Sequence, residues 1–308
     1  MMLPSDAAAN PVSSAEYLAR VRQSGAVSQQ PEPVGRASEV GITAGVVARV
    51  YEPALPGIHP LVVYLHGGGW VAGGLETNDG TCRRLCNLTN SVVVNVGYRL
   101  APEHRFPAAL DDASAALAWA TQHAAEYSAD ARQLVLVGSS AGGNLAAAAA
   151  LRARDDSGPR IHSLILIYPV VDAALETEST TALATGYLLE RRLLEWYWQQ
   201  YCDESERLDP LASPMAASSL AGLPPTLVIT AEYDPLRDEG EAFAARVQRE
   251  GGDARSVRFD GQVHGFAALL GVISDADEAH DVIAAEITLR TQTSPDTDVS
   301  THEKERTS

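Results

Sequence analysis

Two adjacent serines, Ser139 and Ser140, stand in the stretch VLVGSSAGGNL. A serine hydroxyl is a weak nucleophile. It needs a neighbouring base, a third group to orient that base, and donors for the oxyanion that forms on attack. A sharp strand-to-helix turn can present such a serine. Crowding in that turn calls for glycine two residues before it and two after it, the pattern G-x-S-x-G. Ser140 has Gly138 and Gly142 at these positions, whereas Ser139 has Val137 and Ala141. The apolar run QLVLV precedes the pair and an alanine-rich segment follows it. Ser140 is therefore the candidate nucleophile, with the positive end of a helix dipole aimed at it.

The remaining chemistry is sought at the ends of other strands. HGGGW, residues 66–70, closes a buried strand, and consecutive glycines expose backbone N–H groups suited to an oxyanion. Ala141, directly after the candidate nucleophile, adds another. For the acid, LVITAEYDPLRDEG places Asp234 just past a strand, with Pro235 stopping the ladder. Asp238 and Glu239 are rivals, but they fall at a helix start, where acids favour the dipole in any case. For the base, VRFDGQVHGF puts His264 in a loop after the last strand. Of the other histidines, His302 lies in the tail and His123 and His280 lie on helices. His59, His66, His104 and His162 precede the acid, out of the order serine–acid–histidine.

The elements that must hold these residues follow from hydrophobic pattern and turn residues. Strands are expected at GVVARVYEP, LVVYLHGGGW, SVVVNVGYRL, QLVLVGSS, HSLILIYPVV, PTLVITAEYD and ARSVRFDG. Helices are expected at ETNDGTCRRLCNLTN, PAALDDASAALAWATQHAAEY, AGGNLAAAAALRARDD, DEGEAFAARVQREG and SDADEAHDVIAAEITLRTQ. Strands apolar on both faces that alternate with helices imply an α/β fold, a mainly parallel sheet covered on both sides. Residues 1–45 read as an N-terminal arm contributing to a cap, with a short helix in SAEYLARVRQSG starting at Ser14. Residues 46–172 and 216–291 form the α/β core. Residues 173–215, with the aromatic helix YLLERRLLEWYWQQYCDE, break the alternation and form an inserted helical cap. Residues 292–308 are polar, and a disordered tail is expected.

Composition excludes several functions. The chain has 308 residues, a net charge of −17 and a single lysine, Lys304. Without clustered cations a nucleic-acid partner is not expected, nor is binding to anionic membranes. No apolar run reaches the length of a membrane span. The N-terminus lacks a basic region followed by a continuous apolar one, so a soluble, cytoplasmic protein is expected. Cys82, Cys86 and Cys202 are odd in number and have no ligand spacing, which suggests reduced, structural thiols.

HGGGW, YRLAPEHRFPAALDD, GSSAGGNLA, YDPLRDEGEAFA and HGF occur in this order. Together they resemble the hormone-sensitive-lipase-like family of α/β-hydrolases, the bacterial family IV esterases, over roughly residues 40–290. The resemblance implies Ser140 as nucleophile, Asp234 as acid and His264 as base. It implies an oxyanion hole from Gly68, Gly69 and Ala141, no metal or organic cofactor, and a homodimer. It implies a small-molecule ester of short to medium acyl chain as substrate. YRLAPEHRFPAALDD is expected to act structurally, with no chemical step for Arg99, Glu103 or Asp111. The chain departs from the family at Ser139, where Asp is common. Trp70 and Trp196 are candidate substrate-binding residues. Trp196, Tyr197 and Trp198 could line a pocket, or they could bury the cap helix. An acyltransferase or amidase would use the same serine, and a non-catalytic receptor or a peptidase on this fold would be read from other features.

Overall fold

A computed structural model of the protein describes residues 31–292, together with Leu18, Ala19 and Arg22. The sheet has eight strands: β1 (Arg36–Thr43), β2 (Val46–Glu52), β3 (His59–Leu65), β4 (Val92–Gly97), β5 (Ala129–Ser139), β6 (Ser163–Ile167), β7 (Thr226–Tyr233) and β8 (Ala254–Val263). Their order is β1-β2-β4-β3-β5-β6-β7-β8. β1 and β2 pair antiparallel, as do β2 and β4, and the other pairings are parallel. Among residues 31–292 seven α-helices accompany the sheet: α1 (Asp79–Thr89), α2 (Ala108–His123), α3 (Ala141–Asp155), α4 (Glu178–Ala182), α5 (Arg191–Tyr201), α6 (Arg237–Arg249) and α7 (Ser274–Gln292).

Strand alternation divides the core in two. Val62, Val93, Val135, Val137, Ile165 and Ile229 face α1 and α7 through Leu85, Cys86, Ile283 and Ile287. Their neighbours Leu61, Val63, Val94, Leu136 and Leu166 face α2, α3 and α6 through Leu110, Leu145 and Phe243. Strands buried on both faces need apolar residues at every position, so they read as continuous runs. Cys82, Cys86 and Cys202 are buried and unpaired. No described helix is long and apolar enough to cross a membrane.

One element differs from the sequence reading. Residues 36–43, assigned there to the arm, form the edge strand β1. Only Val40 and Ile42 pack on the core, and the rest of RASEVGIT is polar or small. An edge strand half exposed to water carries too few apolar residues to announce itself. The arm's expected helix and the tail fall mostly outside the described residues. Of that helix, Leu18, Ala19 and Arg22 are described, and they are helical.

The inserted segment carries α4 and α5. Thr177 caps α4, its hydroxyl accepting from the Thr180 N–H at 3.2 Å. Helix α5 turns Leu194, Trp198 and Tyr201 into the core. The Tyr201 ring stacks on Trp70 at 4.1 Å, and Trp198 lies 4.8 Å from the same indole. This aromatic cluster joins the cap to the loop after β3. Trp198→Ala is expected to lower unfolding free energy by about 3–5 kcal/mol, read from urea unfolding curves.

Candidate active site

Ser140 lies between the end of β5 and the start of α3, with φ 54° and ψ −118°. A side chain there is strained, and the surroundings explain why it is held. The Ser140 N–H donates to the Ile167 carbonyl at 2.8 Å, and its carbonyl accepts from Val170 and Asn144 N–H groups at 3.3 and 3.1 Å. A Cβ on Gly138 would run into the Gly142 carbonyl, and one on Gly142 would run into the Leu65 carbonyl. The two flanking glycines are thus required by packing around the turn.

Three loops at the carboxyl ends of parallel strands converge here. Asp234 follows β7 and His264 follows β8. His264 Nε2 lies 2.9 Å from Ser140 Oγ, and His264 Nδ1 lies 2.7 Å from Asp234 Oδ2. The other Asp234 oxygen, Oδ1, accepts from the Leu236 N–H at 2.9 Å. With both oxygens engaged and the residue buried, the carboxylate is fixed in orientation. The structure therefore brings Ser140, His264 and Asp234 into one hydrogen-bonded series.

The glycine loop follows β3. Gly68 and Gly69 adopt φ 122° and 60°, which a side chain would strain. A Cβ on Gly69 would also meet the Tyr197 ring of the cap. The Val71 and Ala72 N–H groups donate to the Gly68 carbonyl at 3.2 and 3.0 Å. Ala141 is the first residue of α3, so its N–H belongs to the first turn, whose donors have no partner within the helix. His66 braces the loop: its Nδ1 donates to the Gly67 carbonyl at 2.8 Å, and its ring stacks on Tyr98 at 4.1 Å. Burial pushes the His66 imidazole down to about 4, so it stays neutral.

These groups open onto a cavity of about 330 Å³. Its wall includes Gly68, Gly69, Ser140, His264, Leu194 and Tyr197. Of the residues expected to bind substrate, Trp70 contributes to the wall, but its ring is committed to stacking on Tyr201. Trp196 does not line the cavity. It packs beside Val71, Ala72 and Ala101, while Tyr197 takes the cavity-facing position. Helical phase is the reason: Leu194 and Tyr197 are three residues apart and share a face, and Trp196 is turned about 100° away from Tyr197. Sequence reasoning missed Leu189 and Leu194 on this wall, because apolar residues on a cap give no signal of which face is inner, and it missed Tyr168, which stands directly after β6 and has no chemical motif around it. Among the described residues no group of three or more His, Cys, Asp and Glu side chains could hold a metal ion.

The alpha/beta hydrolase fold family matches residues 62–268, about two thirds of the chain. The chain belongs to this family, in its hormone-sensitive-lipase-like branch. It is 42% identical over 237 residues to the carboxylic ester hydrolase LipN of Mycobacterium tuberculosis, covering 74% of this chain and 63% of LipN. It is 40% identical over 231 residues to the ethyl acetate hydrolase of Pseudomonas putida, covering 74% and 71% of the two chains. The crystal structure of EstE1, a thermophilic and thermostable carboxylesterase from a metagenomic library, superposes with a TM-score of 0.86 at 41% identity. That superposition covers 92% of this chain and 99% of EstE1. The chain spans less than two thirds of LipN's own length.

Within this hydrolase framework, the residues not placed in the triad have other partners. Ser139 stands where Asp is common and accepts from the buried Tyr64 hydroxyl at 3.2 Å. It therefore brings no charge beside Ser140. Arg99 pairs with Asp112, and Asp111 pairs with Arg152, each at 2.7 Å. Arg105 donates to the Gln199 and Gln200 carbonyls at 2.9 and 3.1 Å, satisfying the end of α5. The rival acids hold the cap and the chain leading into it. Asp238 accepts from the Ser179 N–H at 2.7 Å, and Glu239 accepts from the Val171 and Asp172 N–H groups at 2.7 and 3.2 Å.

Burial raises the Glu239 carboxyl well above its ordinary value of 4.5. The folded chain thus keeps a proton that the unfolded chain releases. Its contribution to stability is full below 4.5 and declines as pH rises toward the folded-state value. Glu239→Gln retains an acceptor and cannot ionise, so its stability relative to wild type is expected to rise between about pH 4 and 8. Glu239→Ala leaves two N–H groups without their acceptor, at about 1–3 kcal/mol each. Urea midpoints across pH for the three proteins measure both effects.

Proposed function

We propose that the chain is a carboxylic ester hydrolase acting on short- to medium-chain acyl esters. Ser140, His264 and Asp234 form its catalytic triad. The observation that carries this reading is the series Asp234–His264–Ser140 at 2.7 and 2.9 Å, with the serine presented on a strained turn beside the glycine loop. The printed activities of LipN, the ethyl acetate hydrolase and EstE1 support the ester class.

In this reading the Ser140 hydroxyl oxygen attacks the ester carbonyl while His264 Nε2 takes its proton. Asp234 accepts from His264 Nδ1, fixing the tautomer and stabilising the imidazolium. The oxyanion sits against the Gly68, Gly69 and Ala141 N–H groups, which are preorganised and need no rearrangement as charge develops. His264 returns its proton to the leaving alcohol. Water, deprotonated by the same nitrogen, then releases the acid and restores Ser140. A cavity of about 330 Å³, partly walled by Leu189, Leu194 and Tyr197, suits short acyl groups better than long ones.

The test is hydrolysis of nitrophenyl esters of two to twelve acyl carbons. Ser140→Ala is expected to lower kcat by about 10⁶-fold and Asp234→Asn by about 10⁴-fold. Ser139→Ala is expected to stay active, with rates in wild type falling beyond medium chains. A folded wild type that hydrolyses none of the series would overturn the reading. Loss of activity in Ser139→Ala alone would overturn the assignment of the nucleophile.

A further inference from the structure

Arg22 is a residue of the N-terminal arm that reaches the loop beside Ser140. Its Nε donates to the Val71 carbonyl at 2.8 Å, and its Nη2 donates to the Ala101 carbonyl at 3.2 Å. Both terminal nitrogens also meet the Glu103 carboxylate, at 2.9 and 2.7 Å. Leu18, one helical turn earlier, packs against Val71, Ala72 and Ala101. Arg22 also contributes to the cavity wall.

The contact to Val71 leads directly to the glycine loop. A peptide unit is planar, with its C=O and N–H pointing in opposite directions. The Val71 carbonyl and the Ala72 N–H belong to one such unit. Arg22 holds the carbonyl end, and the N–H end donates to the Gly68 carbonyl at 3.0 Å. The Gly68 carbonyl and the Gly69 N–H belong to the next unit. Fixing the Gly68 oxygen therefore aims the Gly69 N–H the other way. Two planar units link the guanidinium to that N–H, with their dipoles aligned head to tail. The Ala101 N–H donates to the Trp70 carbonyl at 2.9 Å, so Arg22 also ties this loop to residues 101–103.

We propose that Arg22, held by Glu103, is a positioning residue for the oxyanion site. It fixes and polarises the Gly69 N–H through the peptide units of Val71–Ala72 and Gly68–Gly69. The proposal rests on the reading of Ser140 and the glycine loop as an ester-hydrolysing site. A cation at the far end of a hydrogen-bonded chain strengthens each donor along it, and the last donor meets the charge that forms in the transition state. The Arg22 guanidinium holds the Glu103 carboxyl down to about 2, so the pair stays charged wherever a neutral histidine can act as base. This gives the APEHR stretch a part in the site through Glu103, while Arg105 closes α5.

The experiment compares Arg22→Ala, Arg22→Lys, Arg22→Gln, Glu103→Gln and Arg22→Ala/Glu103→Gln on a nitrophenyl ester that wild type hydrolyses. Each protein is also titrated with an alkyl trifluoromethyl ketone, whose adduct with a serine carries an oxyanion. Arg22→Ala is expected to lower kcat by about 10- to 100-fold with little change in KM. Affinity for the ketone should fall in parallel. Lysine, which keeps the charge but cannot serve both carbonyls and the carboxylate, should recover part of the loss and glutamine less. The double variant should lose less than the product of the two single losses. Unchanged kcat and ketone affinity in a folded Arg22→Ala protein would overturn the proposal, as would an effect on KM alone. Should the alanine variant fail to fold, the lysine and glutamine variants decide by the same two readouts. Failure of wild type to hydrolyse the ester would count against the hydrolase reading itself, a result distinct from an active wild type matched by every Arg22 variant.

Discussion

The backbone of Ser140, at φ 54° and ψ −118°, is the constraint on which the site depends. A non-glycine residue in that conformation costs about 1–3 kcal/mol and persists only where its surroundings over-determine it. Here β5 delivers the chain from the middle of a parallel sheet, and α3 takes it away through the space left by Gly138 and Gly142. The serine N–H is tied to β6 through Ile167. Relaxing the turn would disturb the packing of α3 on the sheet, so the core holds the strain in place. The result is a hydroxyl projected above the sheet edge, where loops from β7 and β8 can reach it.

Those loops are anchored in their turn. Asp234 is oriented by the Leu236 N–H, and the next turn of chain, the start of α6, supplies Asp238 to the inserted segment and Glu239 to residues 171–172, which lead into it. One short stretch therefore serves the triad with its first acid, the cap with its second and the chain entering the cap with its third. The cap adds its own contact where Tyr197 covers Gly69. A site built this way is enclosed by elements that its own residues hold down.

Beside the serine, the Asp234 carboxylate is buried and bonded to His264. Ser139 and Tyr64 share a neutral hydrogen bond behind the turn, and the buried His66 stays neutral while bracing the glycine loop. The ion pair of Arg22 with Glu103 meets the glycine loop at the Val71 carbonyl, which accepts from the guanidinium. In the proposed reaction, the developing negative charge of the oxyanion faces the N–H groups of that loop.

Much of this was legible from local pattern. G-x-S-x-G between a strand and a helix selects Ser140 over Ser139: the clash that demands glycine at 138 is with Gly142, four residues on, while the one at 142 is with the Leu65 carbonyl at the end of β3. Continuous apolar runs mark the buried strands, and the break after one of them, β7, marks Asp234; His264 follows the half-exposed β8 and is marked by its place after the acid. The acid was separable from Asp238 and Glu239 by position alone, since only Asp234 ends a strand. What only the tertiary structure decided has a common cause: partners far apart in the chain. The edge strand β1 needs β2 beside it to be a strand at all. Which aromatic of α5 faces the cavity depends on how the helix rolls against the glycine loop, and this puts Tyr197 there in place of Trp196. Arg22 lies 49 residues from Val71 and 81 from Glu103. No spacing in the sequence joins them; the fold does, by bringing Arg22 against the loop that follows β3.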